Sequence, residues 1–217
     1  MFEKKKRSED TYIFDFSAML NSQQPSLDLS DIFYMQEYAK RKQFLTAEIN
    51  SGSVEDVCKA IMHYNEEDKG VDPAKRKPIL LYLDTFGGET TAGFKLIDVI
   101  QSSKTPVYVI NQCTCYSMGF LIYIVGHKRF ASKSATFLMH DGSIQLGDSG
   151  SKTRDYMRFN EEVEKRTKDM VLEKTGITAE MYDSKMREEW YMFADEAKEL
   201  GIVDSIIGVD CELDDVI

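Results

Sequence analysis

The stretch Asn111–Val125, NQCTCYSMGFLIYIV, decides how this chain is read. A β-prone run, Pro106 to Ile110, leads through polar residues to Ser117. A glycine follows two positions later, and an apolar run closes the segment. A tight turn from strand to helix leaves a serine hydroxyl exposed at the positive end of a helix, which is a place for a nucleophile. The same position also suits an ordinary helix cap. The choice therefore rests on what stands upstream and downstream.

Upstream, Pro78–Leu83 (PILLYL) is a short, nearly continuous apolar run, as expected of a strand buried on both faces. Gly87 and Gly88 follow it. Glycines there allow a sharp turn and leave backbone amides free to donate to a developing oxyanion, although a plain strand-to-helix turn uses the same pair. A helix is predicted from about Thr91 to Ser102, then a strand from Pro106. The alternation gives βαβ units crossing over onto a mostly parallel sheet. In such a sheet the glycine turn and Ser117 both emerge at carboxyl ends of neighbouring strands, where ligand crevices lie.

Downstream, a base is needed. The three histidines are His63, His127 and His140. His63 falls in a predicted helix (Val54–Tyr64) and His127 in the charged, solvated turn GHKR. His140 ends the predicted strand Ala135–Met139, so it reaches the same crevice. Ser117, His140 and amides of the Gly87–Gly88 pair and of Met118 together supply a nucleophile, a base and oxyanion donors.

The remaining pattern predicts a helix from Ser30 or Asp31 to Arg41, a strand over 42–49 and a short strand at 128–130. A glycine-rich extended segment over 142–150 precedes a helix over 152–174. That helix carries Tyr156, Phe159, Val163, Met170 and Val171 on its buried stripe, with Gly176 just past its end. Helices over 178–187 and 194–200 and a strand over 202–207 complete the chain. No internal repeat or linker interrupts it. The expectation is a polar N-terminal arm, 1–28, and one domain, 29–217.

Bulk properties narrow the function. At 217 residues the chain is long enough for a real core, and 42% hydrophobic with 29% charged residues is ordinary for a soluble domain. A net charge of −10 argues against nucleic acid as the main partner. No apolar run approaches the roughly 18–20 residues that span a bilayer. MFEKKKRSED is basic but has no apolar segment behind it, so it reads as a solvated start rather than a secretory signal. Cys58, Cys113, Cys115 and Cys211 are then reduced thiols in a cytoplasmic protein. Cys113 and Cys115 would share one apolar face of a strand. No second pair stands nearby to complete a zinc site, so no metal is expected.

Taken in order, FGGETTAG, CYSMG, FLMHDG and WYMFADEAKELGIVDSI resemble the Clp peptidase family, the proteolytic subunit of ATP-dependent Clp proteases, over roughly Lys42 to Ile207. The resemblance implies an α/β, crotonase-like ββα spiral with a protruding strand and helix as a handle between rings. It implies a serine endopeptidase with Ser117 as nucleophile, His140 as base and the amides of Gly88 and Met118 as the oxyanion hole. The third triad member falls on Glu189 where the family usually has aspartate. Glu188 is the alternative by a one-residue slip, and Asp183 and Asp195 are more remote ones. Gln145, Leu146 and Gly147 would line the peptide groove by strand addition.

The implied assembly is a heptameric ring, two of which stack, served by a separate AAA+ unfoldase. No cofactor is implied in this chain itself. Departures include Phe86 for a proline before the glycine pair and Asp141-Gly142 after the base. Three rival readings stay open: a phage-type prohead maturation protease, a catalytically degenerate ring subunit, and an acyl-CoA hydratase or isomerase on the same spiral.

Overall fold

Capping chemistry and apolar runs set where each element begins and ends. The computed structural model describes residues 29–142 and 150–216. The arm over 1–28 and the expected groove residues Gln145, Leu146 and Gly147 lie outside them. The chain divides into two compact units, Met1–Ala39 and Lys40–Ile217. The described part of the first is helix α1 (Leu29–Ala39), on which Tyr34 and Tyr38 stand one turn apart with ring centroids 6.4 Å apart.

The second unit starts with β1 (Lys42–Leu45), shorter than the strand expected over 42–49. The chain leaves the ladder at Thr46, and only Ile49 pairs again, with Gly88. Helix α2 (Ser51–Glu67) begins three residues before the expected start because Asn50 caps it. The Asn50 Oδ1 accepts from the Gly52 and Ser53 amides, and the Ser53 hydroxyl returns to the Asn50 amide. Strand β2 (Ile79–Thr85) follows, then α3 (Thr90–Ser102), β3 (Val107–Tyr116), α4 (Met118–Ile124), β4 (Lys128–Ser132) and β5 (Thr136–Met139). After the undescribed segment come α5 (Gly150–Lys174), α6 (Ala179–Lys185), β6 (Trp190–Phe193), α7 (Ala194–Glu199) and β7 (Ser205–Ile207).

The main path of the sheet is β1-β2-β3-β4-β7, parallel throughout. The decisive element is β3, which is twice as long as PVYVI suggests. Its first half, Tyr108–Asn111, pairs with β4, and its second half, Thr114–Tyr116, pairs with β5. Between the halves the register against β2 slips, from Leu83 opposite Asn111 to Thr85 opposite Cys115. The extra residues form a bulge, which bends the strand and twists it toward a new partner. Asp84 holds the bulge, accepting from both the amide and the hydroxyl of Thr114 at 3.1 and 2.5 Å.

The bulge also corrects the expectation for the CxC pair. It breaks the two-residue alternation, so Cys113 is exposed while Cys115 is fully buried. Strand β6, absent from the sequence reading, pairs antiparallel with β5, so Met139 faces Trp190. The result is the crotonase-like α/β spiral that the resemblance implies.

The core is tight around α4, all seven of whose residues are buried. Tyr123, Phe120, Phe130 and Phe137 are its largest fully enclosed side chains, and the Tyr123 hydroxyl donates to the Phe130 carbonyl at 3.0 Å. Helix α5 is the opposite case. Of the stripe expected to be buried, only Val171 is enclosed, while Tyr156 and Phe159 are exposed. Helical periodicity identifies an apolar face but not what covers it, and among the described residues nothing encloses Tyr156 or Phe159. Among the described residues, no helix is long and apolar enough to cross a membrane.

Candidate active site

Ser117 stands between β3 and α4 with φ 54° and ψ −120°. An L-residue rarely adopts that conformation, and it is held here by the structure on either side. The Ser117 amide donates to the Leu138 carbonyl at 2.9 Å, continuing the β3–β5 ladder, and its carbonyl accepts from Leu121. Met118 opens the helix, where the first N–H groups have no intrahelical acceptor. Its side chain lies against Gly93 of α3, where a Cβ would come within 2.1 Å of the Met118 sulfur.

The glycine turn packs directly on this elbow. Gly87 has φ +100°, and a Cβ there would stand 2.8 Å from the Ser117 Cβ and 2.9 Å from the Tyr116 carbonyl oxygen. Gly88 has φ +149°, and a Cβ there would meet the Ile49 carbonyl oxygen at 2.1 Å. Ile49 clamps the turn on both sides of Gly88. Its amide donates to the Gly87 carbonyl at 2.8 Å and its carbonyl accepts from the Glu89 amide at 2.7 Å. The Gly87 amide is used by the Thr85 hydroxyl at 3.1 Å. In a parallel bridge the central residue keeps its own N–H and C=O out of the pairing. The Gly88 amide is therefore left without an acceptor among the described residues, as is the Met118 amide.

His140 arrives by register. Tyr116 pairs with Leu138, so Ser117 and His140 leave adjacent parallel strands at the same end. Pairing of Met139 with Trp190 brings Glu189 opposite His140. The imidazole Nδ1 and Glu189 Oε1 are 3.2 Å apart. Of the acidic alternatives, Glu188 turns to Lys185 and Asp183 to Lys168. Asp195 lies in the first turn of α7. Among the described residues no hydrogen bond joins the Ser117 hydroxyl to His140. The carboxylate–imidazole half of the constellation is made and the imidazole–hydroxyl half is open, a common geometry without substrate.

One contact here escaped the sequence reading. The Tyr191 hydroxyl donates to Glu189 Oε2 at 2.8 Å. Glu189 immediately precedes β6, and residues two apart along extended chain face the same way, so it shares a side with Tyr191. Only foreknowledge of that strand could have revealed the pair. Tyr191's hydrogen bond, with a smaller contribution from His140, outweighs desolvation and holds the Glu189 carboxyl below the usual carboxylate range. The same bond raises the Tyr191 phenol.

The other nucleophile nearby is shut off. Cys115 is fully buried, and burial, with Asp84 close by, pushes its thiol well above the ordinary value. His63 pairs with Glu67 on α2, and His127 accepts the Val107 amide through Nδ1, so neither joins the constellation. An open cavity of about 580 Å³ lies beside the glycine turn, between Thr46, Glu48, Asp84, Phe86 and Gly88.

The sequence matches the Clp protease family over residues 28–210. The chain belongs to that family. Similar proteins include ATP-dependent Clp protease proteolytic subunit 3 of Synechococcus sp. (strain CC9605), 28% identical over 80% of this chain and 86% of the relative. Proteolytic subunit 2 of Treponema pallidum (strain Nichols) is 24% identical over 81% and 86%. Proteolytic subunit 2 of Rhodococcus jostii (strain RHA1) is 25% identical over 87% and 94%. The Clp protease likeness therefore extends well beyond the four motifs that first suggested it.

Proposed function

We propose that this chain is a serine endopeptidase with a Ser117–His140–Glu189 triad. The observation that carries the reading is the 3.2 Å contact between His140 and Glu189, made at the strand end next to a strained serine, with the Gly88 and Met118 amides left without an acceptor among the described residues. On substrate arrival His140 Nε2 takes the Ser117 proton as the hydroxyl oxygen attacks a peptide carbonyl. The amides of Gly88 and Met118 hold the tetrahedral oxyanion. The imidazolium gives its proton to the leaving amine, and Glu189 keeps the ring in the tautomer with Nδ1 protonated. Water, activated by the same imidazole, then hydrolyses the acyl-serine.

The relatives are named as proteolytic subunits of ATP-dependent enzymes. By extension we assign this chain to an oligomeric ring that receives polypeptide from a separate ATP-driven unfoldase. The uncovered Tyr156 and Phe159 of α5 support self-association, since exposed apolar stripes of this kind are covered by partners. Gln145, Leu146 and Gly147 belong to this reading as the peptide groove.

Ser117→Ala tests the assignment. It is expected to abolish both peptide cleavage and labelling by a fluorophosphonate. Labelling undiminished in that variant would overturn it.

A further inference from the structure

The triad assigned above has an exposed carboxylate on a long side chain, and that creates a positioning problem. The Glu189 side chain is 56% exposed and His140 26%. A polar contact with this much solvent access holds its own geometry poorly, because the side-chain rotamers it must freeze cost about as much as the contact gains. A glutamate also has one more rotatable bond than the aspartate that the family usually places here. Something else must hold it.

The fold supplies a candidate in four linked contacts. The Thr136 hydroxyl donates to the Cys113 carbonyl at 3.2 Å. With its one proton committed, Thr136 Oγ1 accepts from the Tyr116 hydroxyl at 2.9 Å. The Tyr116 ring, fixed at its far end, meets the Tyr191 ring edge-on, centroids 5.6 Å apart at 81°. The Tyr191 hydroxyl then donates to Glu189 Oε2, leaving Oε1 to face His140. The two oxygens of one carboxylate are thus divided, one to an anchor and one to the base. The anchor traces back to the β3 bulge at Cys113, four residues before Ser117.

Resting on the serine-peptidase reading, we propose that Tyr191 is a positioning residue for the acid–base relay. It fixes the Glu189 carboxylate so that the longer side chain performs the orienting role of a shorter one. Among the described residues no hydrogen bond joins Tyr191 to Ser117 or His140, so its polar effect passes through Glu189.

Tyr191→Phe removes the hydroxyl and keeps the ring against Tyr116. Kinetics on a short fluorogenic peptide are expected to show kcat reduced about tenfold with KM within about twofold, and an unchanged melting temperature. In a Glu189→Ala background the same substitution is expected to cost nothing further, the non-additivity of two groups acting in series. A wild-type kcat in Tyr191→Phe would overturn the proposal. So would an equal fractional loss in the Glu189→Ala background, which would make Tyr191 a packing residue. Fluorophosphonate labelling of the same preparations separates the two levels. If Ser117→Ala still labels, the peptidase reading itself fails; if labelling needs Ser117 and Tyr191→Phe is silent, only the positioning role does.

Discussion

The two ends of the parallel strands are built to opposite standards. At the amino end, polar groups are closely matched. The Arg41 guanidinium forks onto both oxygens of Asp68 at 2.7 and 2.8 Å and also donates to the Lys77 carbonyl. Asp68 takes the Thr105 hydroxyl, and Thr105 takes Arg76. Asn65 accepts the Lys104 and Thr105 amides and donates to Ser103 and to the Ile61 carbonyl. At the carboxyl end, two amides and a serine hydroxyl have no partner among the described residues. Asn111 is fully buried with an unpartnered Oδ1.

Both ends hold a non-glycine residue at positive φ, yet the two differ. Arg41, at φ 65°, is repaid by the bonds of its guanidinium. Ser117, at φ 54° and ψ −120°, is repaid by nothing in its own side chain. Matched polar groups are concentrated at one end of the sheet and the candidate site stands at the other, as expected where a site is kept strained by a scaffold that over-determines it.

Three substitutions would break or sharpen that contrast. The largest effect is expected from Gly88→Ala, where a Cβ meets backbone at 2.1 Å in a conformation that alanine resists. A loss of about 3 kcal/mol or more, with abolished labelling, should appear in urea denaturation and fluorophosphonate assays.

Next, Asp68→Ala should cost about 2 kcal/mol while leaving kcat within about twofold. The Arg41 hydrogen bond, assisted by Thr105, holds the Asp68 carboxyl below its ordinary value. A depressed folded-state pKa contributes stability that is complete above the unfolded value of about 4 and fades as pH falls through the folded one. The gap between wild type and variant should therefore be constant above about pH 5 and narrow below about pH 4. A gap that widens in acid would refute the assignment.

The smallest effect has the opposite sign. Ser117→Gly should gain about 1 kcal/mol by relieving the elbow while eliminating activity. A loss of stability there would mean the elbow is not strained.

Much of this was legible in the sequence, and the gaps have physical causes. Ser117 and the Gly87–Gly88 pair stand out because a tight turn restricts residue type locally, and His140 stood out among three histidines by its place at a strand end. Glu189 was placed by its motif, although sequence alone left Glu188 open. Strand β3 was cut short at Ile110 because NQCTCY reads as a polar loop. It is polar there because the bulge exposes Gln112 and Cys113 at the point where the strand changes neighbours. Strand β6 was missed because four residues with aromatics on both faces carry no alternation. With it went Tyr191, whose role depends on a pairing partner 50 or so positions away. The apolar stripe of α5 was found, but whether its own chain covers it is a tertiary fact that periodicity does not contain.

The forked strand has a mechanical consequence. Ser117 is continuous with the five-stranded body of the sheet, whereas His140 and Glu189 stand at the ends of β5 and β6, which join β3 through the short Thr114–Tyr116 register and a few hydrogen bonds beside it. A seam therefore runs between hydroxyl and imidazole. Opening along it would part His140 and Glu189 from Ser117 while the glycine turn stays in place, so amide exchange along β5 should report a lower-energy opening than exchange along β2.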